Sequence, residues 1–179
     1  DGKPTLLRAK GKIVNLEEKL AQDKREDKIG IGHTRWATHG EPSETNAHPH
    51  KAGKIFLVHN GIIENYKELK KTLKGHKFES ETDTEVLAAL VNSFYKDGEY
   101  PLMNAVVQAL KLVKGTYGIA VLSTEAPDEI VVARSGSPLV IGVGHDETLI
   151  ASDASALVGH TKRAIYLNDG EVALVKKNS

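Results

Sequence analysis

"SETDTEVLAALVNSFYKDG", residues 80–98, places a short polar entry ahead of an apolar run. Thr82 with Glu85 three positions later is the spacing of a capping box, in which a hydroxyl and a carboxylate satisfy orphan amides at a helix start. Leu87, Leu90, Val91 and Phe94 then recur at helical spacing, so a helix is predicted with Asp83 in its first turn. Immediately downstream, "PLMNAVVQALKLV" (101–113) predicts a second helix with Pro101 at its first position.

Beyond the two helices the period changes to that of strands. "GTYGIAVLS" (115–123), "EIVVARSG" (129–136), "PLVIGVG" (138–144), "TLIAS" (148–152), "RAIYLN" (163–168) and "GEVALVK" (170–176) are joined by "EAPD", "GHDE" and "LNDG", which read as turns. "SDASALV" (152–158) can form one helical turn capped by Ser152 or Asp153. Upstream, residues 4–9 read as a strand and "VNLEEKLAQ" (14–22) as a short amphipathic helix. "IGIGHTRW" (29–36) and "KIFLVHNG" (54–61) both begin as buried strands and stop in polar groups. Ile62, Tyr66, Leu69 and Leu73 mark a further helix that Gly75 closes. Strands, two consecutive helices and then a meander of strands predict an α+β fold, two layers of sheet with helices packed against them.

The chain is long enough, at 179 residues, for one domain with a substantial core. Lys+Arg and Asp+Glu both number 24, and the net charge of zero argues against nucleic acid or a membrane surface as the main partner. No apolar run approaches the roughly 20 residues of a membrane span, so a soluble protein is expected. Asp-Gly is an unusual natural start, and upstream material is therefore expected. With no cysteine in the chain, disulfides, thiolate metal sites and the commonest strong nucleophile are excluded from these residues.

"GHTRWATHGEPSETNAHPH" (32–50) concentrates four histidines, an arginine and a tryptophan where no core pattern exists. His33, His39, His48, His50 and His59 could include metal ligands, but no HExxH occurs and "HPH" splays its rings on an extended segment; hydrogen-bonded structural histidines are the expectation. Arg35 and Asp83 could together clamp an α-amino acid, carboxylate to guanidinium and ammonium to carboxylate, or could form a salt bridge with each other. Asn60-Gly61 reads as a turn, or as an oxyanion hole built from a side-chain amide beside a backbone N–H. "RSGSP" (134–138) does not match a nucleophile elbow, and the glycines match no phosphate loop.

Taken in order, "GIGHTRWATHGEPSETNAHPH" (30–50), "VHNGIIEN" (58–65), "SETDTEV" (80–86), "GTYGIAVL" (115–122), "ARSGSPLVIG" (133–142) and "ASDASALV" (151–158) resemble the glutaminase domain of glutamine–fructose-6-phosphate aminotransferases, which are class II glutamine amidotransferases. The resemblance runs from about residue 8 to residue 175. It implies a four-layer αββα sandwich of the Ntn-hydrolase type, with residues 1–179 forming one glutaminase domain and the isomerase domains lying elsewhere. It further implies that Arg35 and Thr38 bind the glutamine α-carboxylate, that Asp83 takes the α-ammonium and that Asn60 and Gly61 form the oxyanion hole. Trp36 matches a residue associated with gating ammonia, and His39 lies in the same substrate-covering loop.

The nucleophile implied by the resemblance is an N-terminal cysteine whose own α-amino group is the base. That cysteine and the first strand are missing from these residues, so the 179-residue chain is expected to be inactive as it stands. Thr34, Thr38 and Ser43 cannot substitute, because the mechanism places the amine on the nucleophilic residue itself. Loss of a central strand also predicts an irregular contact near the nucleophile position. The expected ligand is L-glutamine, with no cofactor or metal, and the expected partner is the isomerase part of a cytoplasmic, homodimeric enzyme. A glutamine-binding module without catalysis and a histidine-ligated metal hydrolase are the competing readings.

Overall fold

A computed structural model of the chain describes residues 4–23, 27–35, 40–95 and 101–177. In chain order the elements are α1 (Ile13–Ala21), β1 (His50–Ala52), β2 (Ile55–Ile63), α2 (Tyr66–Thr72), α3 (Asp83–Phe94), α4 (Leu102–Leu110), β3 (Gly115–Ser123), β4 (Ala126–Ser135), β5 (Val140–Val143), β6 (Thr148–Ala151), β7 (Ala164–Tyr166) and β8 (Val172–Lys176). They form an antiparallel five-stranded sheet in the order β1-β2-β3-β4-β8 and an antiparallel three-stranded sheet in the order β6-β5-β7.

The larger sheet is buried on both faces, which explains why "IFLV", "IAVL" and "IVVA" are continuous apolar runs rather than alternating ones. Ile55, Leu57, Ile63, Ile119, Val121, Val131 and Ala133 point to one face and meet α3 and α4 through Val86, Leu87, Leu90, Leu102 and Val106. Val58, Ala120 and Val132 have the opposite parity and meet Leu139, Ile141 and Leu167 of the smaller sheet and its flank. Helices, large sheet and small sheet are thus stacked layers with a core on each side of the large sheet. α3 is buried from Asp83 to Val91, so its polar first turn is carried into the interior along with its apolar body.

Several expectations need correction. β2 does not stop at His59-Asn60-Gly61 but continues to Ile63, with Asn60 opposite Gly118 and Gly61 opposite Tyr117 on β3. The Asn-Gly pair is a strand segment, because nine residues of β3 are aligned to pair with it and tertiary pairing overrides the local turn preference. Ile62 therefore belongs to β2, where it is exposed, and the helix that follows is the shorter α2. "EAPD" is not a turn: β4 already begins at Ala126, and Thr124-Glu125 make the connection.

The Thr82 hydroxyl caps α3 by accepting the Glu85 N–H at 3.2 Å, as the capping box requires. Glu85, however, does not reach back to the Thr82 N–H. Its carboxylate accepts the Glu79 and Ser80 N–H groups at 2.9 and 2.6 Å and the Ser80 hydroxyl at 2.6 Å. The preceding turn folds over the helix start and brings these donors closer.

Residues 4–9 and 29–35 join neither sheet. Arg8 instead donates to the Pro49 carbonyl, and Ile31 packs against the inter-sheet core. A strand pattern needs a neighbouring ladder, and among the described residues neither segment has one. They border a cavity of about 870 Å³ together with Leu16, Leu20, Phe56 and Leu122.

Candidate active site

Three polar strips converge on a second cavity of about 720 Å³. The first is Gly32–Arg35, the second is the end of β2 from His59 to Ile62, and the third is the start of α3 from Thr82 to Thr84. Thr116 of β3 and Ile150–Asp153 with Ala156 from the smaller sheet close the remaining side. Arg35, Asn60, Gly61 and Asp83 are thereby brought to one cavity from three separate regions of the chain. Trp36, Thr38 and His39 lie outside the described residues.

The Arg35 guanidinium donates to the Gly40 and Glu41 carbonyls at 3.0 and 3.3 Å and so anchors the start of the described loop 40–46. Asn46 holds the far end of that loop: its amide donates to the Glu41 carbonyl and to Glu81, and its oxygen accepts the Glu81 N–H at 3.0 Å. The Ser43 hydroxyl accepts the Asn46 N–H at 3.1 Å and so serves the loop itself. Asp83 is 3 % exposed, stands in the first turn of α3 and accepts the Ile63 N–H through Oδ2 at 2.8 Å. A positive guanidinium and a buried carboxylate thus share one cavity.

Gly61 has φ 139°, and a Cβ there would lie 2.2 Å from the Thr116 carbonyl oxygen. No other residue fits at that point of the β2–β3 pairing. The exposed Asn60 side chain beside it can supply an amide N–H to the same space.

The histidines form a neutral cluster under this floor. His33 stacks on His48 at 4.3 Å between ring centroids, and His48 meets His50 edge-on at 5.1 Å. Burial, reinforced by the neighbouring His33, His50, His59 and Arg35, pushes His48 down to about 2. His50 is pushed down to about 4 by burial and by Arg8, against an opposing pull from Glu85. His33 is lowered by burial and by His59 and Arg35. Among the described residues, no group of three or more His, Cys, Asp or Glu is arranged to hold a metal ion. Hydrogen bonding engages His48, His50 and His59, while His33 Nδ1 is buried with no partner among the described residues.

Sequence reasoning missed Thr84, Thr116 and the Ile150–Asp153 wall. Thr84 is masked by the helix pattern around it, and "ASDASALV" (151–158), although part of the resemblance, was given no site role. Asp153 was expected only as a cap, and it does cap the one-turn 3-10 helix Ala154–Ala156 by accepting the Ser155 N–H at 2.8 Å.

A model of the glutamine amidotransferase domain matches residues 19–177. The chain belongs to this family. Among curated relatives, it is 52 % identical to a glutamine–fructose-6-phosphate aminotransferase (isomerizing) of Chlorobaculum tepidum, covering 100 % of this chain and 30 % of the relative. It is 48 % identical to the enzyme of the same name from Clostridium acetobutylicum, covering 98 % and 29 %. The chain therefore spans about 30 % of the length of the curated relatives it matches. Among solved structures, a glutamine phosphoribosylpyrophosphate amidotransferase from B. subtilis matches with a TM-score of 0.64 and 30 % identity over 80 % of this chain and 32 % of that one. The stacked-sheet α+β architecture is accordingly that of the Ntn-type glutamine amidotransferases, as the motifs implied. No helix among the described residues is long and apolar enough to cross a membrane.

Proposed function

We propose that the cavity of about 720 Å³ is a glutaminase site, hydrolysing L-glutamine to glutamate and ammonia, with the ammonia passed to fructose 6-phosphate on isomerase domains of the same enzyme. One observation carries the reading: Arg35, Asp83 and the Asn60–Gly61 segment line one cavity. Arg35, with Thr38, takes the α-carboxylate of glutamine, and Asp83 takes the α-ammonium. That orientation directs the side-chain amide towards Asn60 and Gly61, whose N–H groups stabilise the oxyanion formed when the amide carbon is attacked. His39 and Trp36 belong to the loop that covers the substrate and gates ammonia.

The attacking group is the thiol of a cysteine contributed from outside these 179 residues, because the chain contains none. Residues 1–179 alone therefore bind glutamine without turning it over. The full enzyme is read as cytoplasmic and dimeric through its isomerase part.

Calorimetric titration of the 179-residue chain with L-glutamine, paired with ammonia release by the full-length cysteine-bearing enzyme, tests this. Saturable binding by the chain and turnover only by the longer protein are expected. No binding to the chain together with no glutaminase activity in the full-length enzyme would overturn it. Binding without turnover in both would favour a non-catalytic glutamine-binding module.

A further inference from the structure

We propose that His48, Thr84, His59 and the Thr116 carbonyl form a hydrogen-bond chain of one fixed direction, and that this chain positions the Asn60–Gly61 segment. His48 and His59 are then positioning residues of the site. The catalytic half of this inference rests on the glutaminase reading; the hydrogen-bond order does not.

The direction follows from the two ends of the chain. The backbone N–H of His59 can only donate, so His48 Nδ1, 3.3 Å away, must accept. A neutral imidazole carries one proton, and that of His48 is therefore on Nε2, which faces Thr84 Oγ1 at 3.3 Å. Thr84 accepts there and directs its own hydroxyl hydrogen to His59 Nδ1 at 3.2 Å. His59 is consequently protonated on Nε2, which lies 3.2 Å from the Thr116 carbonyl oxygen. A carbonyl can only accept. Donor and acceptor requirements set at opposite ends thus agree through four bonds, and no other assignment of neutral rings satisfies all of them.

Both ends of the chain are backbone groups of the site. His59 N precedes the peptide of Asn60, and the Thr116 carbonyl is the group against which Gly61 packs at a distance that admits no Cβ. Further along β2, the Ile62 N–H donates to Thr116 Oγ1 at 3.3 Å and the Ile63 N–H to Asp83 Oδ2 at 2.8 Å. The oxyanion segment is therefore pinned on both sides by side chains from β3 and α3. An oxyanion donor acts only when held at hydrogen-bond distance from the developing charge, so a shift of the segment reduces turnover more than binding.

The charges around the chain maintain the order. Protonating His48 on Nδ1 would set two donors face to face at the His59 N–H, and His33, His50 and Arg35 surround the same ring. Protonating His59 on Nδ1 would turn away the Thr84 hydroxyl hydrogen, the link that joins the two rings.

Two measurements test the proposal. Long-range proton–nitrogen NMR on the ¹⁵N-histidine-labelled 179-residue chain at neutral pH should find His48 and His59 both protonated on Nε2. A proton on Nδ1 of either ring overturns the chain. In the full-length cysteine-bearing enzyme, Thr84→Val removes the central hydroxyl at similar volume and should lower kcat about tenfold or more, with KM changed less than about threefold. Thr84→Ser, which retains the hydroxyl, should restore kcat. An unchanged kcat in Thr84→Val, or an effect confined to KM, overturns the positioning role even if the tautomers are as stated. A wild-type enzyme with no glutaminase activity refutes the functional reading and the catalytic half with it, while the NMR result still decides the hydrogen-bond order.

Discussion

Acidification from about pH 7 to about pH 5.5 should weaken the fold through two buried histidines. His48 and His50 are 8 % and 1 % exposed, and their folded-state values are about 2 and about 4 against an ordinary 6.5. A base whose value is depressed on folding binds its proton in the unfolded chain first. Stability is therefore full above about pH 6.5 and declines as pH falls below it, until the folded ring itself protonates. One pH unit below the ordinary value, each ring favours the unfolded state by about 1.4 kcal/mol, compared with about 0.2 kcal/mol near pH 7. The pair should thus remove about 2.5 kcal/mol over this interval. The carboxylates are little involved, because the interval lies above their range. Urea unfolding followed by circular dichroism reads the effect: with a slope of about 2 kcal/mol per molar, the midpoint should fall by about 1 M. His50→Gln should halve that shift. A midpoint unchanged between the two pH values, or a shift unaffected by His50→Gln, would refute the reasoning.

Arg35→Ala should weaken glutamine binding about ten- to hundredfold, the loss of a charge-assisted bond to the substrate carboxylate, measured by calorimetry on the 179-residue chain. In the full-length enzyme Asn60→Ala should lower kcat by about 10²–10³ with binding nearly intact; a comparable loss of affinity would assign Asn60 to substrate positioning instead. Gly61→Ala forces a Cβ to 2.2 Å from the Thr116 carbonyl at φ 139° and should destabilise the protein by at least about 2 kcal/mol in urea unfolding. Burial pushes the Glu85 carboxyl up, but hydrogen bonds from the Ser80 hydroxyl and the Glu79 and Ser80 amides outweigh it and hold the carboxyl below its ordinary 4.5. Its stabilisation is present above pH 4.5 and lost as pH falls through the folded value, so Glu85→Gln should cost about 1–3 kcal/mol at pH 7 and progressively less towards pH 3.

Where local pattern and tertiary context agreed, the sequence could be read directly. β3 occupies the predicted 115–123, and α3 begins behind its Thr82 cap, because the apolar run "IAVL" and a capping hydroxyl report only burial and helix ends. The same local reading failed at residues 29–35 and at Asn60-Gly61. In the first, strand composition found no ladder among the described residues; in the second, a turn signal was overridden by a ladder from β3. Glu85 shows the intermediate case, with the right residue at the right spacing but its carboxylate drawn to different amides by the turn before the helix.

By itself, the order of residues determined which segments are apolar on one face, which on two, and which residue types are available for an α-amino-acid clamp and an oxyanion hole. Those are properties of neighbours within a few positions. Tertiary structure alone decided that Arg35, Asn60, Gly61 and Asp83 share a cavity, that Ile150–Asp153 forms its wall, and that the histidines under it are neutral. The direction of the His48–Thr84–His59–Thr116 chain depends on partners 25, 36 and 57 positions apart, brought within 3.3 Å by the packing of α3 and β3 on β2. Hydrogen-bond direction and proton affinity are set by which groups end up adjacent in a water-poor interior, and sequence periodicity does not encode that adjacency.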